Sequence, residues 1–322
     1  MAAVSVVICT HNPRREFLLR ALGALEAQTL ARDQWELVIV DNASTESLAG
    51  AYDVSWHPRA RHVREENIGL TPARLRGIAE TDGELLVFVD DDNVLAPAFL
   101  QEAWNIRERY PFLGVFGAGG ILPEFEVQPP AELRSHLWML ALRSVPSARW
   151  TNNATDDDAV PWGAGLCVTR EVAGLYRSFV LRLTTASVLD RRGFDLFSGG
   201  DDVFAWTAAS AGYGFGIFPQ LRVTHLIPAT RLSRQYFLRL IHDHAFSDGV
   251  LQFVLAGVRP RRIDWLQYAH VLMHGVRNGS FSMRCYWATV RGQDRAARFI
   301  LEERVEPLDM SGDARMPGAS GT

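Results

Sequence analysis

The chain contains no lysine: all 33 basic residues among its 322 are arginine. That absence excludes Schiff-base chemistry and a P-loop built on its lysine, while the planar arginine fork remains available for phosphate and carboxylate groups. Cysteine is nearly as scarce. Cys9, Cys167 and Cys285 are far apart and odd in number, which gives neither a disulfide framework nor a metal spacing and reads as core thiols of a reducing compartment. No apolar run approaches the roughly 18 residues of a membrane span, and the N-terminus lacks the cationic start and apolar core of a signal peptide. A soluble cytoplasmic protein is therefore expected. A net charge of -4 excludes nucleic-acid binding through bulk charge. Also missing are a Gly-x-Gly-x-x-Gly after the first strand and a Walker motif, which disfavours a dinucleotide or P-loop site.

What is present centres on Leu85–Val94. Five consecutive apolar residues, Leu85–Val89, read as a strand buried on both faces, and Asp90, Asp91 and Asp92 follow at once. Three carboxylates against a buried strand end repel one another and lose hydration unless a cation or a ligand occupies the place. One reading is a solvated acidic turn, with Asp92 or Asn93 capping a helix before Pro97. The other is a divalent-metal site with hard oxygen ligands at the carboxyl end of a parallel sheet.

Upstream, Val4–Cys9 is a second apolar strand that runs into Thr10, His11 and Asn12, and residues 14–28 show helical spacing of Phe17, Leu18, Leu22 and Leu25. Leu37–Val40 is the next strand and ends in Asp41 and Asn42; Arg61–Arg64 is a third, followed by Asn67, Gly69 and a helix over 72–80. This β-α-β-loop-β-α-β order calls for a parallel sheet with helices on both faces. Four polar clusters at corresponding strand ends line one crevice of nucleotide size.

After a helix over 97–110 and a strand at 113–117, the segment 119–160 is irregular, with a helical piece near 132–142. Trp162, Gly163 and Gly165 then precede a strand; this is either a bulged strand or a wall against which a sugar packs. Ser198-Gly199-Gly200-Asp201-Asp202 opens a helix over 203–211, where the acids suit the helix dipole and the glycines suit a close approach to a ligand. Short strands at 214–218 and 221–224 deliver His225, a candidate last metal ligand. Helices over 233–254, 263–276 and 281–304 follow, an annex suited to an acceptor, a dimer contact or a membrane surface; the tail 307–322 has a disordered composition.

With these motifs in order, the chain resembles the GT-A fold glycosyltransferases of family 2 over about residues 3–231, inverting enzymes that use nucleotide-sugar donors. The resemblance rests on Val4-Ser-Val-Val-Ile-Cys-Thr-His-Asn12, Glu36-Leu-Val-Ile-Val-Asp-Asn-Ala-Ser-Thr45, Asn67–Arg74, Val89–Asn93, Gly163–Leu166, Ser198–Asp202 and His225. It implies an α/β fold, a mixed, mostly parallel Rossmann-like sheet flanked by helices, with a helical C-terminal annex. Residues 1–231 would be the catalytic domain, with 1–118 the donor half and 119–231 the acceptor and catalytic half, and 232–306 the annex. Thr10, Asn12 and Asp41, beside His11, Asn42, Asn67 and Gly69, would hold the nucleotide. Arg74 and Arg231 would serve the diphosphate. Asp90 and Asp92 would form the Asp-x-Asp motif for the donor and its Mg²⁺ or Mn²⁺, with Asp91 adjoining and His225 completing the metal shell. Trp162, Gly163 and Gly165 would face the acceptor, and of Asp201 and Asp202 the second would be the general base. The implied reaction is inverting hexosyl transfer from a nucleoside-diphosphate sugar, a UDP-sugar first, to a hydroxyl of a glycan, lipid-linked sugar or secondary metabolite. A metal-dependent nucleotidyltransferase and a non-catalytic sugar-binding scaffold are the rivals; a homodimer through the C-terminal helices and a peripheral membrane contact are compatible with either.

Overall fold

The computed structural model describes residues 2–154, 156–183, 196 and 199–307, with the backbone alone for 274–278. Ser198 and the tail from 308 onward, both part of the sequence reading, lie outside the described residues. The chain divides into two compact units: 1–128 with 140–183 and 200–228, and 129–139 with 184–199 and 229–322.

The first unit is built on one ten-stranded sheet. Its first elements are β1 (Val4–Thr10), α1 (Arg15–Glu26), β2 (Trp35–Asn42), β3 (Ala60–Glu65), α2 (Leu70–Ala79) and β4 (Leu85–Asp90). They continue with β5 (Asn93–Leu95), α3 (Phe99–Arg109), β6 (Leu113–Phe125), β7 (Arg143–Ser144), β8 (Arg149–Thr151), β9 (Leu166–Thr169), α4 (Arg170–Val180), α5 (Gly200–Ser210) and β10 (Gly214–Ile227). The strand order is β3-β2-β1-β4-β9-β6-β10-β5, with β7 on β6 and β8 on β10. β3, β2, β1 and β4 run parallel, β9 is antiparallel to both its neighbours, and β6 and β10 are parallel.

The chain leaves β1 toward β2 and β3, then returns to place β4 on the opposite side of β1. That reversal between β1 and β4 is the switch point at which open sheets of this kind leave a crevice. Both faces are covered. Val4, Val6, Ile8, Leu37, Ile39, Leu85 and Val87 share a buried cluster with Leu18, Leu22 and Leu25 of α1 and Phe99 and Ile106 of α3. On the other side Phe88 meets Phe204 of α5 with ring centroids 5.7 Å apart, and Phe204 stacks on Tyr176 of α4 at 3.6 Å.

The amino ends of the parallel strands hold a buried polar knot. The Ser5 hydroxyl donates to Glu36 at 2.6 Å and accepts from the Gly83 N–H at 2.9 Å, while Arg61 donates to Glu36 at 2.9 Å and the Asp82 N–H at 3.2 Å. Burial alone would raise the Glu36 carboxyl; the Ser5, Arg61 and Asp82 donors outweigh it and hold it below the usual carboxylate range.

Three local expectations need correction. Residues 214–218 and 221–224 form one strand, with register shifts around Phe218 and Arg222 that absorb Pro219. Asp92 and Asn93 do not cap α3, whose cap is Ala98; Asn93 opens β5 instead, because its backbone pairs with β10. The piece near 132–142 is a 3-10 stretch over Ala131–Leu140.

The second unit contains α6 (Arg234–Ala256), α7 (Trp265–Asn278) and α8 (Ser280–Glu302). Ile241, Cys285 and Ala288 are buried together between α6 and α8. Two buried carboxylates are each met by arginine: Asp294 by Arg262 at 3.0 Å and Arg298 at 2.6 Å, Asp243 by Arg295 at 3.7 Å and Arg239 at 3.8 Å.

Candidate active site

The parallel register aligns Thr10 with Asp41 and Cys9 with Asp90, so three strands end side by side. Their polar ends are tied into one framework. Asp41 is buried and accepts from the Ser44 N–H at 3.0 Å, the Leu48 N–H at 3.3 Å and Arg64 at 2.8 Å. Burial pushes its carboxyl up, but Ser44, Leu48 and Arg64 together hold it below its ordinary value. Asn42 uses both ends of its amide, donating to the carbonyls of Glu65 at 3.2 Å and Asn67 at 2.7 Å and accepting from the Gly69 N–H at 2.7 Å. It thereby fixes the loop that leads into α2. The exposed His11 places Nδ1 2.7 Å from the Asn42 carbonyl oxygen, which can only accept, so the proton sits on Nδ1. Nε2 then accepts from the Asn12 amide at 3.0 Å, while Asn12 Oδ1 accepts from the Thr45 N–H at 2.9 Å.

At the end of β4 the three carboxylates take different places. Asp90 and Asp91 are half-buried, and Asp91 accepts the Thr10 hydroxyl hydrogen bond. Asp92 is buried, with its Oδ1 accepting from the Asn93 amide at 2.6 Å and its Oδ2 3.4 Å from Nε2 of the buried His225. β5 sets that pair: Asn93 lies opposite His225 in register, and the Leu226 N–H donates to the Asp92 carbonyl at 2.8 Å. The Asp92 carboxylate is the hard oxygen ligand that Mg²⁺ and Mn²⁺ prefer, and the His225 imidazole would add one nitrogen to it. Among the described residues no three His, Cys, Asp or Glu side chains form a metal-holding group.

The third group gathers around α5. Asp201 accepts from Arg74 at 2.7 Å through Oδ1 and from the Gly163 N–H at 2.6 Å through Oδ2. The Arg74 side chain is only 3% exposed and its guanidinium lies 5.9 Å from the ring centroids of both Phe88 and Phe204. A Cβ at Gly163 would stand 3.0 Å from Arg74 Nη2 and 3.1 Å from Asp201 Oδ2, so glycine is what allows this approach. The next residue, Asp202, is exposed on the first turn of α5. A charge-paired, doubly hydrogen-bonded carboxylate thus stands beside one that faces water.

Residues 5–138 match the sequence model of the family described as Glycosyl transferase family 2. Among curated relatives, Glycosyltransferase AglE of Haloferax volcanii is 30% identical over 92 residues, 28% of this chain and 30% of the relative. Validoxylamine A glucosyltransferase of Streptomyces hygroscopicus subsp. jinggangensis is 34% identical over 102 residues, 30% of this chain and 24% of the relative. The chain therefore spans less than a third of the length of either. The mannosyltransferase PcManGT of Pyrobaculum calidifontis, solved with GDP-Man and Mn²⁺, shares the fold at a TM-score of 0.55 and 18% identity, over 92% of this chain and 86% of that one. The first unit thus has the GT-A fold.

Within residues 5–138 the structure draws His11, Asn12, Asn42, Asn67 and Gly69 into one hydrogen-bonded framework beside Asp41, while Thr10 donates to Asp91. Beyond it, Asp201 joins Arg74 and Gly163, and His225 joins Asp92. Arg74 is engaged with Asp201 as well as lying at the start of α2. Gly165 has a φ of 72° and a Cβ there would meet Phe99 at 2.8 Å, so core packing explains that glycine. Arg231 belongs to the second unit. Sequence reasoning missed Arg64, Ser44 and Arg143. The Arg143 guanidinium sits 3.4 Å over the Trp162 ring and donates to the Val160 carbonyl at 2.7 Å. Burial lowers its pKa to about 10, with nearby Asp158 opposing the shift. No pattern marked Arg64 or Arg143, because each meets its partner by folding across about twenty residues, whereas Ser44 lies only three residues from Asp41.

Proposed function

We propose that the protein is an inverting glycosyltransferase that moves a hexose from a nucleoside-diphosphate sugar to an acceptor hydroxyl. The observation that carries this reading is the carboxylate pair on α5. Asp201 is fixed by Arg74 and the Gly163 N–H, and its neighbour Asp202 is exposed beside it. In the proposed step Asp202 takes the proton of the acceptor hydroxyl as oxygen attacks the anomeric carbon, and Asp201 fixes the turn that presents it. Because attack is direct, no bond to the enzyme forms.

Asp92 and His225 would hold a Mn²⁺ or Mg²⁺ ion, which supplies charge neutralisation of the leaving diphosphate when bound. Asp90 and Asp91 face the donor side at the switch point between β1 and β4, next to Thr10. The framework of Asn12, Asp41, Asn42 and Asn67 shapes the nucleotide end, and Trp162 with Gly163 the acceptor side. The Mn²⁺ and GDP-Man bound by the fold neighbour from Pyrobaculum calidifontis support a metal-assisted nucleotide-sugar site; a UDP-sugar stays the first donor to try.

The test is thermal shift with UDP, GDP, dTDP and CDP, each with and without Mn²⁺, followed by incubation with the matching nucleotide sugar. A nucleotide that raises the melting temperature only with Mn²⁺, and loses that rise in Asp92→Ala, is the expected outcome. Nucleoside diphosphate should then be released. Pyrophosphate release instead of nucleoside diphosphate, or no stabilisation by any nucleotide, overturns the proposal.

A further inference from the structure

Helix α7 of the second unit carries apolar residues on its exposed side. Val271 is buried, whereas Trp265, Leu266, Tyr268, Leu272 and Met273 are exposed, Trp265 by 74% and Leu272 by 64%. At about 100° per residue these five side chains fall on one continuous arc of the helix. Gln267 and Val271 lie on the opposite arc. An apolar face of that extent in water marks a contact surface.

Charge argues for what covers it. Just upstream, Arg259, Arg261 and Arg262 are exposed, and the stretch 258–273 holds a single acid, Asp264. Arg262 also pairs with Asp294 at 3.0 Å, which leaves Arg259 and Arg261 as the outward cations of the stretch. Anionic headgroups bring the opposite sign. At 14 residues α7 is too short to cross a bilayer, and among the described residues no helix is long and apolar enough to do so. A short helix with an apolar face, a tryptophan at its polar end and adjacent arginines suits the headgroup layer.

We propose that α7, with Arg259 and Arg261, docks the protein on an anionic lipid surface, with Trp265, Leu272 and Met273 inserted and the two guanidinium groups at headgroup phosphates. The proposal is independent of the catalytic reading. It is tested by co-sedimenting the full chain with phosphatidylcholine vesicles and with vesicles containing phosphatidylglycerol, at low and high salt. Binding to the anionic vesicles that weakens with salt is expected. Arg261→Gln should lower the partition about fivefold, and Trp265→Ser with Leu272→Ser by more than about tenfold. Circular dichroism checks the fold of each variant, and the exposed Arg259→Gln and Arg261→Gln pair serves should the apolar variant fail to fold. No binding to either vesicle, or binding that all variants retain, overturns the proposal. So does a dimer seen by light scattering that Leu272→Ser dissolves, which would make a second copy the occupant.

Discussion

The two ends of the same parallel strands treat buried polarity differently. At the amino ends, Ser5, Glu36 and Arg61 close on one another and on the main chain of 82–83, and the exposed acids beside them, Asp82 and Glu84, both stand on the one short loop before β4. At the carboxyl ends, Asp41 and Asn42 are as fully bonded, yet the loops and helix they adjoin present Asp90, Asp91 and Asp202 at or near the surface. A buried polar cluster is therefore no site by itself. What separates the two ends is where the acids come from: at the carboxyl ends the end of β4 and the first turn of α5 each bring one or more to the edge of a rigid framework.

That contrast predicts activity effects at one end and stability effects at the other. The largest is Asp202→Asn: about 10²- to 10⁴-fold slower transfer, the range for a lost general base, with the Mn²⁺-dependent nucleotide shift unchanged. Normal turnover by this variant removes Asp202 as the base. Next is Arg74→Met. Losing one partner of a well-buried pair costs about 3–5 kcal/mol, and with Asp201 itself 26% exposed, about 2 kcal/mol of stability is expected together with slower transfer. Rescue of the rate by Arg74→Lys without rescue of stability would separate the two roles.

Glu36→Gln probes the other end. It should cost about 1–2 kcal/mol in denaturant unfolding and leave nucleotide binding intact. The sign of its pH dependence follows from the lowered folded pKa. Glu36 contributes stability that is present above its unfolded pKa and is lost as pH falls through the folded one. The variant should therefore lose less stability on acidification than the wild type; equal slopes would place the acid sensitivity elsewhere. The smallest effect is Gly163→Ala, where the added methyl must displace Arg74 or Asp201 by a few tenths of an ångström. A threefold or so drop in transfer with little change in melting temperature is expected.

The parallel half of the fold was legible because its strands are continuous apolar runs that end abruptly in polar residues, as in Leu85–Asp92. The seven motifs fell in family order for the same reason. Where the reading failed, long-range pairing had overridden local pattern. Pro219 reads as a strand break, but pairing with β6 carries the chain past it, and Asn93 reads as a cap until β10 claims its backbone. Arg64 and Arg143 carry no local signal at all; only the completed sheet brings the first to Asp41 and the second to Trp162. Between Asp201 and Asp202 spacing offers no choice, and only the family resemblance implied that the second is the base; the fold adds the Arg74 and Gly163 N–H contacts of the first.

Of the two groups that hold Asp201, one is a side chain and the other is the main-chain N–H of Gly163. The second cannot be lost by ordinary substitution, because every residue except proline brings the same donor. Drift at position 163 can therefore loosen or shift this carboxylate by crowding it but keeps the donor itself, whereas a single codon change at Arg74 removes the other hold entirely. The clamp has one heritable weak point, and it is not in the loop.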